Sequence, residues 1–320
     1  MSTEQASNVM TDEEHAPLRA EGDNWVLHHA DCVDVLRALP ESSVHLTITS
    51  PPYLGLYVYQ ASPRDLGNSR TDADFWVHFK FIIDELFRVT RRGRLVVIDC
   101  MNVPAMKERD GYIGLKDFRG DIIREFRARG FIYSSEHCIR RDPLLEATRT
   151  KALGLMHKQL CKDSTMSRAG LAQYLLGFRK PGANENPVAH PNGLETFFGL
   201  EPPAHGNLSH ERWRRYADPI WTDIDFTRTL NATAAREGDD ERHACPMALD
   251  LIERAVELWS APGEVVFDPF TGVGSTGYVA LQRGRRFVGS ELKASYAVQA
   301  AKNLREAATV RQSSLFAEAT

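Results

Sequence analysis

Nothing among the 320 residues is apolar for long enough to cross a bilayer; no run approaches the ~20 residues a spanning helix needs. Cysteine is sparse as well. The five cysteines are odd in number, scattered, and nowhere in CxxC spacing, which argues against a disulfide framework or a zinc ribbon. No apolar segment follows Met1, so the expectation is a cytoplasmic protein with reduced thiols and no metal. A surplus of positive charge is missing too: 39 Lys and Arg face 43 Asp and Glu, for a net charge of -4. Any surface for a polyanion must therefore come from local asymmetry. Repeats and low-complexity tracts are absent. What remains is a 36.0 kDa chain with 42% hydrophobic residues, enough for one large core or two modest ones.

Periodicity divides that chain. Residues 1–22 are polar and acidic and are expected to form a disordered tail. Apolar, β-branched runs predict strands at 25–29, 44–48, 95–98, 131–139, 173–179, 265–268 and 286–290. Helical spacing predicts helices from 31, over 75–90 with Asp72 or Asp74 as cap and Gly93 as stop, and over 115–129. Further helices are predicted at 246–259, before Arg283, and from 294 to about 306. Between residues 136 and 180, nine cations face four anions, a local excess of five in an acidic protein. A solvated helical face is the ordinary reading of such a run; a nucleic-acid surface is the other. Six of the 16 prolines fall between 181 and 219, predicting irregular structure that ends in Arg212-Trp213-Arg214-Arg215-Tyr216. That cluster suits phosphate contact and base stacking, or packing of Trp213 and Tyr216 on the domain.

Two stretches carry chemistry. Thr49-Ser50-Pro51-Pro52-Tyr53 closes a buried strand. Two prolines cannot continue a ladder, so the strand end offers a hydroxyl, the Pro51 carbonyl and an aromatic face. An exocyclic amine needs such a set: two acceptors for its protons and a ring for its base. A plain strand ending in a proline turn reads equally well from the residues alone. The second stretch is Gly272-x-Gly274-x-x-Gly277 between a strand and a helix, with Glu291 ending the next strand. Tight turns there let the backbone approach a nucleoside ligand while the carboxylate accepts ribose hydroxyls, a pattern that also suits NAD.

Together these stretches resemble the DNA amino-methyltransferases, which methylate N4 of cytosine or N6 of adenine. Ser50-Pro51-Pro52-Tyr53 is similar to their S/D/N-P-P-Y/F/W motif, and Asp268-Pro269-Phe270-Thr271-Gly272-Val273-Gly274 to their D-P-F-x-G-x-G. Thr271 to Ser275 stand where many members read A-G-S-G-T, with both glycines kept. The order, P-P-Y first and cofactor loop last, resembles the permuted beta group, over residues 25–180 and 243–306. The resemblance implies an α/β, Rossmann-like methyltransferase fold with a mostly parallel seven-stranded sheet and an inserted target-recognition region. The implied parts are a catalytic half (23–140), the insertion (141–236, including the strand 173–179), a cofactor-binding half (237–308) and a flexible tail (309–320).

It also implies roles. Ser50, Pro51, Pro52 and Tyr53 would hold the base. S-adenosylmethionine would bind Asp31, His243, Pro246, Asp268, Pro269, Phe270, Gly272, Gly274, Ser275 and Glu291, with Asp31 on the adenine amine and Glu291 on the ribose. Serine at the first motif position leans the substrate toward cytosine N4. Double-stranded DNA is the expected partner, contacted by Arg140, Arg141, Lys151, Lys158, Lys162, Arg214 and Arg215, with Tyr57 or Tyr59 filling the gap of a flipped base. Gln312, Leu315 and Phe316 resemble the Q-x-x-L-F peptide that binds bacterial sliding clamps. A homodimer and a cognate restriction nuclease stay open. The competing readings are an RNA or nucleotide methyltransferase, a catalytically silent DNA-binding protein and a nicotinamide oxidoreductase.

Overall fold

The computed structural model describes residues 19–54, 64–150, 153–190, 194, 208–235 and 246–318. In chain order the elements begin with β1 (Arg19–Gly22), β2 (Trp25–His29), α1 (Cys32–Ala38), β3 (Val44–Thr49), α2 (Asp72–Val89) and β4 (Thr90–Met101). A hairpin β5 (Val103–Ala105) and β6 (Gly114–Lys116) brackets α3 (Lys107–Asp110), and α4 (Phe118–Ala128) leads to β7 (Ile132–Ile139). Next come α5 (Pro143–Thr150), α6 (His157–Lys162), β8 (Gln173–Arg179), α7 (Leu208–Ala217) and β9 (Ile220–Trp221). The chain finishes with α8 (Leu249–Trp259), β10 (Val265–Asp268), α9 (Ser275–Gln282), β11 (Arg286–Glu291) and α10 (Ala294–Glu318).

Nine strands form one sheet in the order β1-β2-β11-β10-β3-β4-β8-β7-β9. The run from β2 to β4 is parallel; β8 alone is reversed between β4 and β7. Seven of these strands are those read from the sequence. The other two are edge additions: β1 pairs antiparallel with β2, and β9 parallel with β7. Residues 19–22 therefore do not belong to a disordered tail. They pair because Ala20 is buried against Leu27 across the ladder.

Helices cover both faces, as a parallel sheet requires. On one face Leu251, Ile252, Val279, Ala280, Ala300 and Leu304 pack on Leu46, Ile48, Val97, Leu175 and Val266. On the other, Leu36, Phe79, Ile83, Ile122 and Phe126 pack on Val96, Ile98, Leu176, Phe178 and Phe267. Adjacent residues such as Val96 and Val97, or Val266 and Phe267, serve opposite faces, so these strands read as unbroken apolar runs.

Local details differ from expectation. Thr71 caps α2, its Oγ1 accepting from Asp74 N at 3.1 Å, in place of Asp72 or Asp74. Gly93 lies inside β4 with a positive φ of 72°, where β3 and β4 shift register. The expected flexible tail is instead the end of α10, which runs to Glu318 and contains Gln312, Leu315 and Phe316. Among the described residues no helix is long and apolar enough to cross a membrane.

Candidate active site

Parallel strands leave their carboxyl ends on one edge, and here that edge opens into a cavity of about 780 Å³. Ser50, Pro51, Pro52 and Tyr53 reach it from β3; Asp268, Pro269, Phe270 and Gly272 from β10; Glu291 from β11; Asp31 from β2. Because β3 pairs with β10, the two chemical stretches become neighbours, with Leu46 opposite Val266 and Thr47 opposite Phe267. Thr49 Oγ1 then donates to Asp268 Oδ1 at 2.6 Å, a buried bond that ties the stretches together.

On the glycine-loop side the polar groups have fixed tasks. Asp268 Oδ1 also accepts from Phe270 N at 3.0 Å. Glu291 Oε2 accepts from Gly272 N at 2.7 Å and Oε1 from Lys293 N at 2.8 Å. Each of those Glu291 oxygens keeps a lone pair for a ligand hydroxyl. Gly272 has φ +55°, and a Cβ added there would meet nothing within 4 Å, so the loop backbone is bare. Gly274, at φ +93°, passes α10 so closely that a Cβ would lie 3.3 Å from Ala300. Asn303 Nδ2 clamps the same loop by donating to Val273 O at 2.7 Å. Burial pushes the Asp268 carboxyl up to about 6 and that of Glu291 to about 7, because charge is costly away from water.

The β3 side is less occupied. Ser50 Oγ lies 3.5 Å from the Tyr53 hydroxyl. Tyr53 rests on Phe118, ring centroids 5.6 Å apart, and Phe118 rests in turn on Phe75 and Trp76. Leu54, next in the chain, is buried with φ +35°, a conformation a branched side chain rarely adopts. Beyond the Thr49–Asp268 bond, aromatic packing behind Tyr53 supports this strand end.

Sequence reasoning missed a third wall. Asp99, near the end of β4, and Gln173, at the start of β8, line the cavity with Arg141 and Glu146. Gln173 Nε2 donates to Asp99 Oδ1 at 2.6 Å, and Arg141 Nη1 to Gln173 Oε1 at 3.2 Å. Arg141 also donates twice to Glu146 Oε1, at 2.8 and 3.0 Å, and lies over the Phe226 ring. Burial raises the Asp99 carboxyl to about 6. The only signal in the sequence is an acidic residue closing an apolar strand.

The remaining expected residues separate into groups. Pro246 and Ser275 line the cavity, and the buried Ser275 Oγ has no hydrogen-bond partner among the described residues. Asp31 lines it too; it caps α1 by accepting from Val33 N at 2.8 Å and faces Arg64 at 3.4 Å. Arg140, Lys158, Lys162 and Arg214 are exposed. Arg141, expected on the DNA side, has its guanidinium bonded to Glu146 and Gln173 in the cavity wall. Arg215 is drawn onto Asp223, its Nε donating at 3.0 Å. Arg212 and Tyr216 are buried and share Glu257, so of the aromatic-basic cluster it is Trp213 and Arg214 that are well exposed. Tyr57, Tyr59, Lys151 and His243 lie outside the described residues.

The arrangement fits a nucleoside ligand with a polar tail. A bare glycine backbone, a partly buried carboxylate with spare lone pairs and an orphaned hydroxyl at the start of α9 converge on one cavity. Residues 44–302 match the N6/N4 methyltransferase family model, described as DNA methylase. The type II methyltransferase M.XycI of Xanthomonas campestris pv. cyanopsidis is 26% identical over 287 residues, 87% of each chain. The type II methyltransferase M1.MboII of Moraxella bovis reaches 43% identity, but over 58 residues, so the match spans only 22% of that relative. A crystal structure from Thermus thermophilus, of a DNA modification methylase complexed with S-adenosyl-L-methionine, aligns with TM-score 0.59 at 25% identity. That alignment covers 89% of this chain and 96% of the other.

Proposed function

The chain belongs to the N6/N4 DNA methylase family, and from that premise we propose that it transfers a methyl group from S-adenosylmethionine to the exocyclic amine of a flipped DNA base, N4 of cytosine in preference. The observation that supports this is the Thr49–Asp268 bond, which joins the Ser50 strand end to the Gly272 loop in a single cavity.

S-adenosylmethionine supplies a sulfonium methyl that a nitrogen lone pair can attack in line. Glu291 accepts the ribose hydroxyls, the Gly272 backbone lets the ligand approach, and Ser275 Oγ and Asp31 serve its polar ends. Ser50 Oγ and the Pro51 carbonyl accept the two amine protons. That draws the nitrogen lone pair out of conjugation with the ring, which is what an aminopyrimidine lacks as a nucleophile. Tyr53, backed by Phe118, stacks on the base and fixes its plane. No strong base is needed, because the proton leaves after positive charge has built up on nitrogen. Asp99 is one of several carboxylates that line the same cavity, and burial raises it to about 6.

Such a target is out of reach inside a duplex, so the base must leave the stack, at a cost of a few kcal/mol. Exposed Arg140, Lys158, Lys162 and Arg214 supply the phosphate contacts.

The test is incubation with labelled S-adenosylmethionine and duplex DNA or RNA, followed by digestion to nucleosides. N4-methyldeoxycytidine is the expected product. N6-methyldeoxyadenosine would overturn the cytosine preference and keep the enzyme class. Label in RNA alone, or in neither polymer, would overturn the DNA reading.

A further inference from the structure

Leu144 and Leu145 are 73% and 67% exposed, the highest values among large apolar side chains of the described residues. They are not on a loose tip. Asp142 Oδ1 accepts from Leu144 N at 2.8 Å and from Leu145 N at 3.1 Å, so the first turn of α5 is capped with both side chains on it. The next residue, Glu146, is only 3% exposed and lies in the cavity wall with its partner Arg141. On the other flank Pro143 abuts Gly170, where a Cβ would lie 3.2 Å from it, and the following Leu171 is again a wall residue. Two solvent-facing leucines thus stand on a fixed turn at the rim of the cavity that would receive the base.

The surroundings select what covers them. The exposed side chains within about twenty residues of them along the chain include the cations Arg140, Lys158 and Lys162, a setting for a polyanion. A duplex is a polyanion that also has an apolar interior, the stacked faces of its bases. Proteins that distort DNA insert leucine and similar side chains between base steps, since an alkyl wedge replaces stacking contacts and leaves no polar group unpaired.

We propose that Leu144 and Leu145 form the wedge that occupies the vacancy left in the DNA stack when the target base enters the Ser50 pocket. This rests on the DNA reading above. The wedge holds the duplex open, and Arg141 with Glu146 fixes its position relative to the base. It assigns the gap-filling role to α5 rather than to Tyr57 or Tyr59.

The experiment uses the full chain and a duplex carrying the site mapped on unmethylated plasmid DNA treated with the wild type. Two forms are compared: target base paired, and target base opposite an abasic position, where less stacking and no pairing need be broken. The Leu144→Ala, Leu145→Ala variant is expected to methylate the paired duplex about tenfold more slowly or worse, and the unpaired duplex within about threefold of wild type. Leu144→Met, Leu145→Met, still bulky and apolar, should restore the paired rate. Wild-type rates on the paired duplex, or equal losses on both duplexes, would overturn the wedge alone. A wild type that leaves no modified base in the plasmid would overturn the DNA reading, and the wedge with it.

Discussion

The two ends of the cavity are built on opposite plans. At the β10–β11 end, the buried Asp268 accepts one backbone N–H and the partly buried Glu291 accepts two, which set the loop before any ligand arrives. At the β3 end, the Ser50 hydroxyl has one long contact among the described residues, to Tyr53 at 3.5 Å, and is positioned by aromatic packing behind it. A site that must hold a cofactor through every cycle gains from preformed polar contacts. A site that must grip an amine only while it reacts gains from acceptors left free until then. Affinity and turnover should therefore respond to different residues.

Ser50→Ala should show the largest effect. It removes one of the two proposed amine acceptors and is expected to lower turnover about 100-fold or more, the scale of removing one preorganised polar group from the reacting centre. Cofactor affinity should move by less than about twofold, read by calorimetry in the absence of DNA. Loss of both would make the β3 end part of the cofactor site. Glu291→Ala is the mirror experiment. Losing a partly buried charged acceptor is worth about 1.5–3 kcal/mol, or roughly 10- to 150-fold in cofactor affinity. A folded variant with unchanged affinity would place the ribose elsewhere.

A third prediction uses protons. Glu291 titrates near 7 when buried and at about 4.5 in the unfolded chain, so between those values the folded state binds the extra proton. Unfolding free energy contributed by this group therefore falls as pH rises through that window, by up to about 1.4 kcal/mol per unit. Glu291→Gln stays neutral throughout, so its stability relative to wild type should be greater at pH 8 than at pH 5 in cofactor-free protein. Thermal melts giving the same difference at both pH values would show that the carboxyl is not raised. Wild-type cofactor affinity should meanwhile weaken below about 7, because only the ionised group accepts both hydroxyls.

The smallest effect belongs to the rim. Neutralising Lys158 and Lys162 should weaken binding to all duplex sequences alike. The slope of log affinity against log salt should flatten by about 0.9 for each phosphate that the variant no longer neutralises. A variant with the wild-type slope would put these lysines off the DNA.

How much of this could be read without a structure follows from where the determining contacts lie along the chain. Strands β3, β10 and β11 were legible because burial on both faces leaves an apolar run, and the residues that end them are the motif residues themselves. Asp99 and Gln173 were not, since only the antiparallel pairing of β4 with β8, which sets Met101 opposite Gln173, brings them into one wall. Arg212 read as a surface cation among its neighbours in sequence. Glu257, forty-five residues further on, takes it inside with Tyr216. Strand β1 hides in polar residues because an edge strand need bury only one side chain to pair.

The Thr49–Asp268 seam has a consequence in time. Strands β3 and β10 lie side by side yet are separated by about 220 residues of chain. At roughly 5–20 residues per second, a ribosome takes on the order of 10–45 s to make that interval. Until then β3 has β4 on one side and an unpaired apolar edge on the other, the kind of edge that recruits foreign strands. The nascent chain should thus depend on chaperones most while its amino-terminal half waits, and the seam that brings the chemistry together closes late, with only β11 left to enter between β10 and β2.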